Sequence, residues 1–261
     1  MAWVGSAERP VFPIVGGSFG AMEGIWASLE EVRPVVERSI RAVGRIEHSA
    51  GLAETAVATG FFVTPTHVLT NRHVLETFAE RARGGWRIRP RKSPRIDVVN
   101  ETNTDRTELE CPIVGVELVS RDADADWAIL RVDGAPLVDP LELGATAPDA
   151  GEDVAVVVIG YPRLAPDHLT ATPEILGAMP REVGAVKSVQ PGRLLRWQDA
   201  PPTLQHDATC FGGSSGSCII RLGDGLVIGL HAQTYRGTGY GVSLWPYASD
   251  PSWSSLGITF T

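Results

Sequence analysis

Three stretches of this 261-residue chain set a reactive side chain in surroundings that suit its chemistry. The first is Thr59-Gly-Phe-Phe-Val-Thr-Pro-Thr-His-Val-Leu-Thr-Asn-Arg-His73-Val, an apolar strand pair running into a turn that bears a histidine. The second is Asp122-Ala-Asp-Ala-Asp126-Trp-Ala-Ile-Leu-Arg-Val, an acidic turn entering an apolar strand. The third is Thr209-Cys-Phe-Gly-Gly-Ser-Ser215-Gly-Ser-Cys, a glycine-serine loop followed by a short apolar run. A serine hydroxyl is too weakly acidic to attack an amide unaided. An imidazole titrates near neutrality and can take the proton. A buried carboxylate fixes the imidazole tautomer and stabilises the imidazolium. Glycines beside the serine let backbone N–H groups turn toward a developing oxyanion. Taken singly, the loop reads as a flexible linker, His73 as a structural histidine and Asp126 as a solvated turn residue. Taken together they are the parts of an acyl-transfer site. Asp124 is the rival to Asp126, which fits better because it abuts the strand Trp127–Val132.

The elements that must hold these groups are mostly strands. Short apolar runs bounded by turn residues or charge fall at Ala56–Val63, Trp86–Arg89, Ile96–Val99, Ile113–Val119 and Trp127–Val132. A second set falls at Asp153–Ile159, Glu182–Val189, Leu194–Trp197, Ser217–Arg221, Leu226–His231 and Gly241–Leu244. The 28 glycines and 19 prolines are scattered, as many short strands joined by turns require. Several strands on each side of one Pro/Gly/Asp-rich connector predict two packed β-barrels or sandwiches. A helical pattern occupies residues 21–43, where Ile25, Leu29, Val32, Val36, Ile40 and Val43 form one apolar stripe. Pro34 interrupts it, which predicts a break at Arg33 and a second helix starting at the proline. The expected organisation is an N-terminal arm and helix (1–45), a first β-lobe (46–135), a connector (136–152), a second β-lobe (153–250) and a C-terminal tail (251–261).

Composition narrows the function classes. With 23 basic and 31 acidic residues the formal net charge is −8, which argues against a nucleic-acid coat or a membrane-surface binder. The longest aliphatic run, Val154–Ile159, is far short of the ~20 residues that span a bilayer. The first ten residues lack the basic flank and apolar stretch of a signal peptide. The cysteines Cys111, Cys210 and Cys218 fit neither a disulfide framework nor zinc spacing. The expectation is a cytoplasmic protein with free thiols, needing no cofactor and no metal.

The order His, Asp, Ser and their flanks resemble the chymotrypsin-fold serine proteases, and most closely the bacterial HtrA-like and glutamyl endopeptidase-like group. Leu69–Val74 matches the family's Leu-Thr-Asn-X-His-Val stretch, Asp126–Leu130 its Asp-X-Ala-Ile/Leu-Leu strand, and Gly213–Ser217 its Gly-X-Ser-Gly-Ser loop. The likeness runs from about Ala56 to Leu244. It implies an all-β fold of two antiparallel barrels, here with an N-terminal helical extension. It also implies Ser215 as nucleophile, His73 as general base and then acid, Asp126 as orienting carboxylate, and the N–H groups of Gly213 and Ser215 as the oxyanion hole. Cys218 stands where the family usually has proline, and residues 1–45 lie outside the likeness.

Two further features follow from that comparison. Ile14-Val-Gly-Gly resembles the N-terminus freed when trypsin zymogens are cut, but that device needs a carboxylate just before the nucleophile, and Ser214 stands there. Trypsin's pocket aspartate is replaced by Thr209, so a Lys or Arg preference is not supported. Gly229-Leu-His231 matches the stretch whose histidine meets an acidic side chain in glutamyl endopeptidases. The expected substrate-binding set is Thr209, Cys210, Gly229 and His231, taking an acidic or small polar side chain of a peptide or protein. Beyond substrate, the helix stripe and the cations from Arg81 to Arg95 are candidate surfaces for a regulatory or target protein. The competing class is an inactive trypsin-fold module that binds a peptide or partner in the inter-lobe cleft.

Overall fold

The computed structural model describes residues 9–22, 24–50, 53–99, 110–122, 125–134, 138–149, 151–163 and 187–261. Six antiparallel strands close the first barrel: β3 (Val43–Ala50), β4 (Ala53–Thr64), β5 (His67–Thr70), β8 (Arg95–Asp97), β9 (Glu110–Val119) and β10 (Ala128–Val132). The second barrel uses β11 (Ala155–Gly160), β12 (Ser188–Asp199), β13 (Pro202–His206), β14 (Cys218–Arg221), β15 (Val227–Tyr235) and β16 (Thr238–Ser243). Pairing of β11 with β12 closes it. A hairpin of β6 (Ala79–Ala82) and β7 (Gly85–Ile88) stands apart. This is the all-β, two-barrel architecture expected from the sequence.

The first barrel fills with β-branched and aromatic side chains. Phe61, Phe62, Val68, Leu69, Ile129 and Leu130 are fully buried, and Leu69 pairs with both Phe61 and Ile129 across its two neighbours. The barrels join through polar contacts as well as apolar ones. Lys187 is buried beside β12, and its Nζ donates to the carbonyls of Ile40 at 3.1 Å and Val98 at 2.5 Å.

The chain before β3 differs from the continuous helical stripe. A 3-10 helix covers Gly24–Leu29, and α1 covers Arg33–Ile40 with Pro34 in its first turn. The break near Arg33 is therefore present, because proline has no N–H to give and fits a helix start. Val43, the last stripe position, opens β3 instead. A three-to-four spacing and a strand's inward positions coincide at that one residue. Upstream, β1 (Phe12–Val15) and β2 (Ser18–Phe19) form a hairpin, and β1 pairs with β12. Gly16 and Gly17, with φ of 62° and 80°, form its two-residue turn. The Ile14-Val-Gly-Gly motif is thus a hairpin, with the Ile14 N–H donating to Lys187 O at 2.9 Å.

The last residues are packed. α3 (Pro251–Ser254) buries Trp253, whose ring meets Trp127 at 4.9 Å and stacks on Tyr247 at 5.1 Å. Of the expected strand Glu182–Val189, residues 182–186 lie outside the described residues, as does Asp124.

Candidate active site

Three local structures carry the three sequence stretches to one place. The β4–β5 hairpin ends at Asn71, and α2 (Arg72–Phe78) puts His73 in its first turn rather than in a simple turn. Asp126 lies just before β10. Its backbone carbonyl accepts from Asn71 Nδ2 at 2.8 Å, which ties the acidic segment to the start of α2. The next residue, Trp127, is wedged against Tyr247 and Trp253. Ser215 lies in the loop between β13 and β14, folded by turn bonds from Ser214 N to Phe211 O and from Ser217 N to Ser214 O, both 3.0 Å.

His73 and Asp126 meet at two points. Nδ1 of the ring stands 2.5 Å from Oδ2, and the His73 backbone N–H donates to Oδ1 at 3.0 Å. Burial pushes the Asp126 carboxyl up, but the hydrogen bonds and charge of His73 outweigh it and hold the group below the ordinary carboxylate range. An ionised carboxylate there fixes the ring with Nδ1 protonated and turns Nε2 toward the cleft as an acceptor.

Ser215 shares that cleft. A cavity of about 1300 Å³ is lined by His73, Asp126 and Ser215, and by Thr209, Cys210 and His231. The serine hydroxyl donates to the Ala232 carbonyl at 3.0 Å, and no hydrogen bond joins it to His73 among the described residues. The arrangement pairs the imidazole with a carboxylate and places the hydroxyl on the same cleft, bonded elsewhere. Catalytic hydrogen bonds commonly tighten only when substrate is bound.

The nucleophile loop is held from the first barrel by Thr59. Its Oγ1 donates to Gly213 O at 2.9 Å and accepts from Tyr161 N at 3.0 Å, while its N–H donates to Ser215 O at 2.8 Å. Gly213 and Gly216 have φ of 95° and 86°. A Cβ on Gly216 would lie 1.9 Å from Thr59 O, so only glycine lets the loop pass the barrel wall. The N–H groups of Gly213 and Ser215 have no partner among the described residues.

The specificity residues divide. Cys210 and His231 line the cleft and are buried. Thr209 also lines it, but its hydroxyl donates to Arg9 O at 2.9 Å. Gly229 does not line the cleft; it sits inside the sheet, where a Cβ would lie 2.4 Å from Leu204 Cδ2. His206, not singled out from sequence, stands 3.0 Å from His231 between Nε2 and Nδ1. Burial holds His206 at about 4 and His231 well below the ordinary imidazole range. Burial also raises the thiols of Cys210 and Cys218, the latter to about 12, as expected of buried thiols that stay protonated without a metal or a cation beside them.

Behind Thr209 lies another contact that local sequence does not signal. Arg9 forms a buried ion pair with Asp207, whose Oδ1 accepts the Arg193 N–H at 2.6 Å. Part of the Arg81–Arg95 strip is paired within the protein. Arg87 bonds Glu80 at 2.5 Å, and Arg95 bonds Glu47 at 2.6 Å and Glu110 at 3.0 Å, while Arg81 lines the cleft. No helix among the described residues is long and apolar enough to cross a membrane.

A family model of the trypsin-like peptidase domain matches residues 58–230. Among solved structures, the active form of the Rv3671c protease from M. tuberculosis aligns with a TM-score of 0.54 and 22% identity, over 87% of this chain and 85% of that one. An inactive form of the same protease aligns with a TM-score of 0.50 and 23% identity, over 86% and 93%. A serine endoprotease from Yersinia pestis aligns with a TM-score of 0.56 and 19% identity, over 85% and 66%. At these identities the structures attest the fold. No curated protein sequence matches the chain.

Proposed function

The chain belongs to the trypsin-like peptidase family, and on that premise we propose that it is a serine endopeptidase whose acyl-enzyme forms on Ser215. The observation that carries this reading is the two-point grip of Asp126 on His73, facing the cleft that Ser215 lines. In the proposed reaction the substrate carbonyl enters the cleft and the hydroxyl leaves Ala232 O for the free nitrogen of His73. His73 accepts the proton as Ser215 Oγ bonds to the carbonyl carbon. Asp126 stabilises the imidazolium, and the unpaired N–H groups of Gly213 and Ser215 are the donors available to the oxyanion. His73 then gives the proton to the leaving amine, and water repeats the sequence to release the acid.

Substrate would add as a strand along β15. That strand pairs with β14 only up to Leu230 and bulges at Ala232, leaving Ala232 to Thr234 on the cleft. The side chain before the cleaved bond would face Cys210 and His231. This polar, uncharged wall supports a small polar preference and gives neither an acidic nor a basic side chain a buried counter-charge.

Labelling with a fluorophosphonate tests the reading. Labelling of the native protein, absent in Ser215→Ala, is expected. A native protein that stays unlabelled while folded instead supports the inactive peptide-binding module.

A further inference from the structure

The wall of the cleft carries a second constellation. His206, Cys210 and His231 are buried, and one ligand atom from each lies within 4.8 Å of the other two. We propose that these three side chains form an inhibitory Zn²⁺ site that closes the substrate pocket. The inhibitory half rests on the peptidase reading; the metal site does not.

The donor set selects the metal class. Two imidazole nitrogens and one sulfur, with no carboxylate, suit a borderline-soft cation and not Mg²⁺ or Ca²⁺. Three protein ligands leave a fourth position for water. Cys210 and His231 line the cleft, so a cation arriving from solvent reaches the set directly. Zinc–nitrogen bonds of about 2.0 Å and zinc–sulfur bonds of about 2.3 Å place tetrahedral ligand atoms about 3.3–3.8 Å apart. The facing nitrogens of His206 and His231, at 3.0 Å, already approach that separation. Closure on the metal draws the set in by about 1 Å.

Two buried atoms without a hydrogen bond among the described residues mark the same place. His206 Nδ1 has no partner, and neither has Gln190 Nε2. In the present state the Cys210 thiol donates to Gln190 Oε1 at 3.2 Å. When zinc binds, the thiol proton leaves to solvent and a Zn–S bond forms. The thiolate then needs a donor, which the Gln190 amide supplies by turning its NH₂ inward. The proton shared between the two rings moves to an outer nitrogen, freeing a lone pair for the metal. The bound ion and its water occupy the wall that a substrate side chain must reach.

The site is tested on Ser215→Ala protein, which needs no activity. Co²⁺ is expected to bind at one per chain with a thiolate-to-cobalt absorption band, and Zn²⁺ to displace it. The band should vanish in Cys210→Ser and weaken at least tenfold in apparent affinity in His206→Gln, each checked for folding by thermal melting. No band, or an undiminished band in whichever of these variants folds, overturns the site. In native protein, Zn²⁺ should slow fluorophosphonate labelling of Ser215 at least tenfold, with recovery on chelation. Cobalt binding with unchanged labelling overturns the inhibitory role. A protein that never labels sinks the peptidase reading and inhibition with it, while the cobalt band still decides the site.

Discussion

Ser215 gives its hydroxyl proton to the carbonyl oxygen of Ala232, 3.0 Å away, while Asp126 holds His73 from the far side of its ring. On the proposed reading, a substrate adding along β15 would bring a backbone N–H to that same carbonyl. The serine would then lose its acceptor as the substrate gains one, and the hydroxyl would turn to His73. A peptide with an ester in place of that one amide, at the residue whose carbonyl is attacked, should show kcat/KM lower by about tenfold, the size of one neutral hydrogen bond. Equal rates for the two peptides would remove this competition.

Asp126→Asn should leave the fold intact and lower kcat by about 10⁴. The amide can no longer stabilise the imidazolium, and an amide N–H facing Nδ1 favours the wrong tautomer. Steady-state kinetics on a peptide substrate, with a thermal melt alongside, measure both effects. A loss below tenfold would show that the 2.5 Å contact is structural.

Thr59→Val should weaken both stability and turnover. It strips Gly213 O of a donor and Tyr161 N of an acceptor. Two such buried losses cost about 2–6 kcal/mol, and a loosened Gly213 would misplace a proposed oxyanion donor, a loss that typically costs about 10² in kcat. Thr59→Ser should restore most of both, because it keeps the hydroxyl. Denaturant unfolding and kcat are the readouts; a serine variant as impaired as the valine one would assign the effect to the methyl group instead.

The Arg9–Asp207 ion pair predicts a stability effect far from the chemistry. Both groups are buried, so Arg9→Ala leaves a carboxylate without its guanidinium at a cost of about 3–5 kcal/mol. KM should rise as well, since a segment that loses its ion pair no longer fixes the Arg9 backbone carbonyl that accepts from Thr209 on the cleft wall. An unfolding free energy within 1 kcal/mol of native would mean that the pair is not held in solution.

Stability should fall with acid over a definite window in chelator-treated protein. Buried His206 stays neutral down to about 4, with His231 facing it and Cys210 on the same wall. An unfolded histidine takes its proton near 6.5. Between these values the unfolded state binds more protons, so stability is full above about 6.5 and drains as the pH falls to about 4. His206 alone removes about 3 kcal/mol across the window. Unfolding free energies at three pH values within it test the slope, and a flat profile counts against the burial of both rings.

The residues that meet on the cleft were legible because each member sits in a local pattern: a hairpin running into His73, an acidic turn before β10, a glycine loop before β14. What holds those members was not legible. Thr59 reads as an ordinary strand residue until Gly213 is brought to it from the other barrel. His206 gains meaning only from His231, which is distant in sequence and is brought to 3.0 Å from it because β13 and β15 both flank β16. Val43 misled because one position satisfied two periodicities, and Gly229 because its motif neighbour His231 faces the cleft while Gly229 itself packs under Leu204. Arg9 and Trp253 have partners at Asp207 and Trp127, which no short window of sequence contains.

The indole of Trp127 is covered by Tyr247 and Trp253, which come much later in the chain. A nascent chain already carries His73, Asp126 and Ser215 before that aromatic lid has been synthesised. The residue beside Asp126 is therefore unsupported until the lid emerges. Order of manufacture itself then acts as a safeguard, keeping the cleft from firming up on a half-made barrel.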